Sequence, residues 1–305
     1  MRQSSSLLFM VRPKDFRSNE ETSDDNVFQD KGSGATVAEQ ALNEFDRFVH
    51  LLEDKGIKVY VGHISDDLDT PDALYPNNWL SFHENGLVAL YPMKAENRRL
   101  ERREYLIEEL VNHCGLHMEE IVDFTEFESH ESYLEGTGSM VLDRSSQVVY
   151  AGISERTDEQ AVRIFCDEMG YSGVLFETSV EGKPVYHTNV VLSIASQFAI
   201  LCEESIPDLQ DRKIVIESLL EAEKEVIRID IDQMKHFAAN GLEVYNEDGK
   251  KYFIMSQSAA NSLNEEQKSS ISKYAEILSI PLDTIERFGG GSARCMLCEV
   301  FLPKI

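Results

Sequence analysis

Short apolar runs of strand length outnumber helical stretches by about two to one, and that ratio most narrows the folds open to this chain of 305 residues. Strand-like runs fall at 7–11, 59–61, 87–91, 121–124, 139–142, 148–151, 174–176, 198–202, 226–229, 242–245, 252–255 and 296–302. Helical periodicity is confined to 37–55, 97–113, 158–169, 211–224 and 265–278. Such alternation predicts an α/β protein assembled from units that combine a β-pair with a single helix. No linker divides the chain. The polar stretch 18–33 lies too near the N-terminus to separate domains, so it reads as a flexible loop over a pocket mouth or a surface insertion, and residues 1–305 are expected to form one catalytic domain.

The chemistry is expected near the C-terminus. Gly289-Gly290-Gly291-Ser292-Ala293-Arg294-Cys295-Met296 places a thiol after three glycines that permit positive φ and close backbone approach. An adjacent arginine favours the thiolate, the form that attacks electrophilic carbon, so Cys295 is expected to be accessible and nucleophilic. A nucleophilic thiol needs a proton carrier. His187 is the best placed of eight histidines, because His187-Thr188-Asn189 leads a polar triplet into an apolar run after the Gly182-Lys183-Pro184 turn. His83 reads as a hairpin residue by the Asn85-Gly86 turn. His50, His113, His117 and His236 read as solvated, and His63 and His130 as loop residues. Glu135, in Leu134-Glu135-Gly136-Thr137-Gly138, supplies a carboxylate in a glycine-flanked setting. Cys295 and Cys298 formally spell C-x-x-C, but no second pair stands at zinc-finger spacing and no thioredoxin-like βαβ pattern surrounds them. Cys298 is expected to face away from Cys295 as buried packing.

Taken in order, Leu134-Glu135-Gly136, Gly152-Ile153-Ser154-Glu155-Arg156-Thr157, His187-x-Asn189 and Gly-Gly-Gly-Ser-Ala-Arg-Cys295 resemble the signature of the guanidino-group-modifying (pentein) superfamily. That superfamily includes arginine deiminases, dimethylarginine dimethylaminohydrolases and amidinotransferases. The resemblance covers nearly the whole chain, and Tyr75-Pro76-Asn77-Asn78-Trp79 with Tyr186-His187-Thr188-Asn189-Val190 is most similar to the bacterial citrulline-utilisation hydrolase (CtlX) group. It implies a five-bladed αβ propeller of pseudo-fivefold ββαβ units, about 61 residues each if 305 is divided by five. It makes Cys295 the nucleophile, His187 the general acid/base and Glu135 a carboxylate of the same constellation. Arg156 matches an arginine that holds the substrate α-carboxylate. Arg98 or its neighbour Arg99 matches a second, and Asp72 a polar substrate contact. No cofactor or metal is implied.

One departure bears on the substrate. Arginine deiminases grip the cationic guanidinium with two aspartates, and the corresponding positions here read Asn77-Asn78 and Asn189. Asparagine keeps the shape but removes the charge and offers an NH2 donor. The expectation is therefore a neutral ureido substrate, citrulline to ornithine plus carbamate. Arginine or methylarginine hydrolysis, amidino transfer, and a non-enzymatic protein- or ribosome-binding role remain the alternatives.

Acidic residues number 55 against 29 basic ones, a formal net charge of −26. A surface of that sign repels nucleic acid and anionic membrane, leaving a small-molecule amino acid as the expected partner, with a homodimer open. Neither a membrane-length apolar run nor a signal-peptide core is apparent, and five scattered cysteines suit a reducing compartment, so a cytoplasmic location is expected.

Overall fold

A computed structural model describes every residue except Asp24, Asp25 and Val27, three positions of the 18–33 stretch. Fifteen strands form five three-stranded sheets among the described residues, and all five share one pattern. A central strand pairs antiparallel with the strand before it and parallel with the strand after it, across a helical crossover. The second sheet holds β3 (Leu80–Phe82), β4 (Leu87–Leu90) and β5 (Glu120–Asp123). The third holds β6 (Val141–Asp143), β7 (Val148–Ile153) and β8 (Ser172–Glu177). The fourth holds β9 (Leu192–Ile194), β10 (Phe198–Leu201) and β11 (Glu225–Arg228), and the fifth β12 (Leu242–Tyr245), β13 (Lys251–Ser256) and β14 (Glu276–Ile280). The first sheet is closed by the two ends of the chain: β1 (Leu7–Arg12) runs parallel to β2 (Lys58–His63) and antiparallel to the last strand, β15 (Cys298–Glu299). The unit is thus ββαβ, repeated five times with its first copy circularly split.

The crossover helices form where apolar spacing and caps agree. In Ala35–Asp54 the buried residues Ala41, Phe45, Phe48, Val49 and Leu52 follow the 3.6-residue period and bury one stripe. Each large apolar side chain there contributes about 1.5–3 kcal/mol of burial. Helix Glu159–Met169 starts on Asp158, whose carboxylate accepts the Ala161 N–H at 3.0 Å, and stops at left-handed Gly170.

Three expectations need correction. The helix expected over 97–113 is two pieces, Glu96–Arg99 and Glu104–Cys114, because the intervening turn carries Glu101 inward to pair with Arg98 of the first piece. The helix expected over 265–278 ends at Ser272. Its last apolar residues instead enter β14, where pairing with Tyr252–Ser256 overrides helical propensity. Of the strand expected over 296–302 only Cys298–Glu299 pairs, since Ala293–Met296 coils into a 3-10 turn that turns Cys295 inward.

Candidate active site

The first strand of every ββαβ unit, taken here as its inner edge, is preceded by a tight turn or loop, and these segments carry Asn78, Glu135, His187, Asn189 and Cys295. Asn77 and Asn78 lie on the 3-10 turn Pro76–Asn78 before β3. Glu135 caps the turn Gly136–Ser139 before β6, His187 caps Thr188–Val190 before β9, and Cys295 sits on Ala293–Met296 before β15. Gly136 shows why the residue type matters. Its φ is +49°, and a Cβ there would stand 2.3 Å from the Asn77 carbonyl oxygen, so only glycine lets the Glu135 turn meet the Asn78 turn. Thr188 Oγ1 ties the next two turns together by donating to the Ser139 carbonyl.

The glycine run has a similar reason. Gly290 ends helix Asp283–Gly289 in the left-handed region, while a Cβ on Gly289 would reach within 2.1 Å of the Tyr75 hydroxyl. Tyr75 and Tyr186 donate to the carbonyls of Gly291 and Gly290, strapping the loop that carries Cys295.

His187 Nε2 meets Glu135 Oε2 at 2.8 Å, both fully buried. Burial alone would raise the Glu135 carboxyl. Arg156, the His187 hydrogen bond and Arg98 outweigh it and hold the group well below the usual carboxylate range. For His187 the balance goes the other way: burial lowers its pKa, with Arg156 and Arg98 adding to the effect, and Glu135 offsets only part. At neutral pH the pair is therefore imidazole and carboxylate. Nε2 carries the proton toward the acceptor-only Glu135, and Nδ1 is the basic nitrogen.

Arg98 and Arg156 each stand 3.6 Å from Glu135 Oε2. Arg98 is buried and forks onto Glu101 at 2.9 and 3.1 Å while donating to Asn78 Oδ1 at 3.0 Å. Burial pushes the Glu101 carboxyl up to about 7 against the pull of Arg98. Arg99 points elsewhere, to the Met93 and Lys94 carbonyls, so Arg98 is the one that lines the site. Asp72 lines it too. Its Oδ2 accepts from Asn19, Oδ1 has no hydrogen-bond partner among the described residues, and burial raises its pKa.

The surroundings of the thiol differ from expectation in two ways. Cys295 is buried, not accessible, with 3% of its surface exposed. The Arg294 guanidinium does not serve it: one nitrogen donates to the Leu297 carbonyl at 2.7 Å and another lies 3.7 Å from Glu299. What faces Sγ is a pair of carboxamides, Asn240 Nδ2 at 3.3 Å and Asn189 Nδ2 at 3.6 Å. Asn240 is absent from the expected set because Asn240-Gly241 signals a turn, and a turn signal assigns the asparagine no chemical role. Cys298 is buried, with burial pushing its thiol up to about 12.

Asp72, Asn78, Arg98, Arg156, His187 and Cys295 line one cavity of about 20 Å³, near the room one water needs. Part of the 18–33 stretch roofs it: Arg156 donates to the Thr22 carbonyl at 3.2 Å and Asn26 to that of Gly290 at 3.2 Å. A larger cleft, about 540 Å³, is lined by Phe28, Phe237 and Glu286 and holds none of these residues. Size alone does not make it the reactive site, since His187, backed by Glu135, and the thiol converge in the smaller one.

A family profile described as N,N dimethylarginine dimethylhydrolase, eukaryotic, matches residues 12–302. The chain belongs to that family. It is accordingly a pentein-superfamily hydrolase acting on non-peptide C–N bonds. Solved structures with the same fold include ArgZ, an arginine dihydrolase from the ornithine-ammonia cycle in cyanobacteria (15% identity, TM-score 0.74). The match covers 98% of this chain and 41% of ArgZ, so the chain spans about two-fifths of that relative's length. The ArgZ N-terminal domain, in a cysteine-to-serine variant bound to substrate, matches at 16% identity and TM-score 0.73, covering 97% of this chain and 99% of that domain. A dimethylarginine dimethylaminohydrolase caught as an adduct with S-methyl-L-thiocitrulline matches at 14% identity and TM-score 0.62, covering 96% of this chain and 99% of that one. No curated protein matches the sequence. Among the described residues no helix is long and apolar enough to cross a membrane.

Proposed function

We propose that the chain is a cofactor-free cysteine hydrolase of a ureido amino acid, with citrulline as substrate and ornithine and carbamate as products, akin to the citrulline-utilisation hydrolases. The observation that carries this reading is the charge around the thiol. Asn78, Asn189 and Asn240 present amides, and the one carboxylate beside His187 is already shared by two guanidiniums at 3.6 Å. A guanidinium seated there would bring a third positive charge to a dry site where Glu101 is engaged by Arg98 and Asp72 is the remaining carboxylate, and Asp72 is needed for the substrate ammonium, so the cost is several kcal/mol. A ureido group is neutral, and its carbonyl finds NH2 donors.

In this scheme His187 Nδ1 takes the thiol proton as Cys295 Sγ bonds to the ureido carbon. Amide donors hold the oxyanion. His187 then gives the proton to the departing amine, ornithine leaves, and a carbamoyl thioester remains. Water deprotonated by His187 releases carbamate, which breaks down to ammonia and carbon dioxide. Arg156 and Arg98 suit the substrate carboxylate, and the unpartnered Oδ1 of Asp72 suits its ammonium. The covered cavity means that the contacts made over it by Thr22 and Asn26 open to admit substrate. The five ββαβ units read as blades of a propeller in one catalytic domain, and the odd cysteine count supports a cytoplasmic setting.

A second reading is arginine hydrolysis, favoured by the fold shared with an arginine dihydrolase. Purified protein incubated separately with citrulline, arginine and dimethylarginine, with Cys295→Ala as blank, separates the two by amino-acid analysis. Ornithine from citrulline alone supports the first reading. Ornithine and ammonia from arginine support a dihydrolase, and accumulating citrulline supports a deiminase.

A further inference from the structure

Four of the five units contribute a polar side chain to the centre from the segment before the inner edge strand: Asn78 before β3, Glu135 before β6, His187 and Asn189 before β9, and Cys295 before β15. In the fifth unit the residue in that place, two before β12, is Asn240, with none of its surface exposed. We propose that Asn240 is a positioning residue for the nucleophile, holding Cys295 Sγ by a hydrogen bond that a thiolate can accept and fixing the direction of that bond through the backbone of the catalytic turn.

Its hydrogen bonds determine which way the amide points. Oδ1 accepts the Arg294 N–H at 3.1 Å, and Nδ2 donates to the Asn189 carbonyl at 3.0 Å as well as to Sγ at 3.3 Å. Turning the amide over would set its oxygen against the Asn189 carbonyl oxygen and its NH2 against the Arg294 N–H, losing two bonds and creating two repulsions. The donor end is therefore held nearer the sulfur, 3.3 Å against 3.6 Å for Oδ1, so the amide can accept from the thiol and donate to the thiolate. Asn189 adds a second NH2 at 3.6 Å, and its backbone is itself held by Asn240. With Arg294 engaged by Leu297 and Glu299, and His187 by Glu135, the side chains that hydrogen-bond the sulfur among the described residues are these two amides. A neutral donor steadies a negative sulfur without adding a third cation to a site that already holds Arg98 and Arg156. It also aligns Sγ: one side chain ties the residue before the nucleophile, the sulfur itself and the turn that follows His187.

The proposal rests on Cys295 being the nucleophile, so the test uses a readout that needs no substrate. Iodoacetamide alkylation of Cys295 is followed by peptide mass mapping across pH, with thermal unfolding measured in parallel, for wild type, Asn240→Ala and Asn240→Asp. Both variants lose the bond to Asn189, but Asn240→Asp keeps an acceptor for the Arg294 N–H while placing a carboxylate where the donor stood. Alanine is expected to slow alkylation at pH 7 about tenfold, the worth of one hydrogen bond to a charged group, and to move the pH midpoint of the reaction upward. Aspartate is expected to slow it further while unfolding no earlier than alanine. If Asn240→Asp reacts like wild type, or if both rates follow stability alone, Asn240 is only structural and the proposal fails. If wild-type Cys295 stays unmodified while the unfolded chain reacts, the nucleophile reading fails and takes the proposal with it.

Discussion

Replacing Glu135 by Gln keeps the side chain's shape and removes one buried charge, so its effects can be worked out from its neighbours. The carboxylate accepts from His187 at 2.8 Å and from the Lys94 backbone at 3.1 Å, and it faces Arg98 and Arg156 at 3.6 Å. Breaking a buried ion pair by removing one partner costs about 3–5 kcal/mol. Arg98 keeps Glu101 and Arg156 keeps the Thr22 carbonyl, so the low end applies, about 3 kcal/mol at pH 7. For a chain of this length that is a fall in Tm of roughly 5 °C. The sign of the pH dependence follows from the depressed carboxyl. Its contribution is complete above the unfolded value of about 4.3 and is lost as pH falls through the lower folded value, so the gap between wild type and variant shrinks below about pH 4. Activity should drop about 10²-fold or more as His187 loses its orienting acceptor. Because Glu135 is what offsets the lowering of His187, the acid limb of kcat/KM should move to lower pH in the variant. Denaturant melts from pH 3 to 8 and a pH–rate profile give both numbers. A stability gap that does not change with pH, or an acid limb that moves upward, refutes the electrostatic account.

Three further outcomes are expected. In wild type the acid limb of kcat/KM lies below the unperturbed histidine value of about 6.5, because catalysis uses neutral His187; a limb above it would mean that the protonated form is the reactive one. Gly136→Ala drives a Cβ to 2.3 Å from the Asn77 carbonyl oxygen at a left-handed residue, and should cost about 2–4 kcal/mol and most of the activity; a melt within about 1 kcal/mol of wild type would show that the turns are not locked. Asn189→Asp restores a negative charge near the sulfur and should raise the ratio of arginine to citrulline turnover by about tenfold or more; an unchanged ratio would remove charge from the specificity argument.

The longer strands and most of the crossover helices were legible because they are periodic over enough residues to carry a pattern. The inner strands Leu80–Phe82 and Leu192–Ile194 were not, since three residues show no period and owe their pairing to the neighbouring strand. The Arg98–Glu101 turn looked helical because its charges sit at helical spacing, yet burial of the pair is decided by Asn78, Asp72 and Glu135, which lie far away in sequence. Cys295, His187 and Glu135 could be read from ordered motifs; the first two line one cavity and Glu135 stands against His187. The role assigned to Arg294 could not, because adjacency in sequence says nothing about where a long side chain turns. Asn240 lay in a loop with no motif, and only its approach to Sγ reveals it.

The central claim is that Cys295 forms a covalent carbamoyl adduct. Citrulline labelled at the ureido carbon, and separately in its ornithine portion, is mixed with enzyme, quenched in acid within one turnover, and the Cys295 peptide is analysed by mass spectrometry. The account predicts the ureido label on Cys295 and no ornithine label there. Turnover with neither label on Cys295, or with the label on another residue, would contradict it.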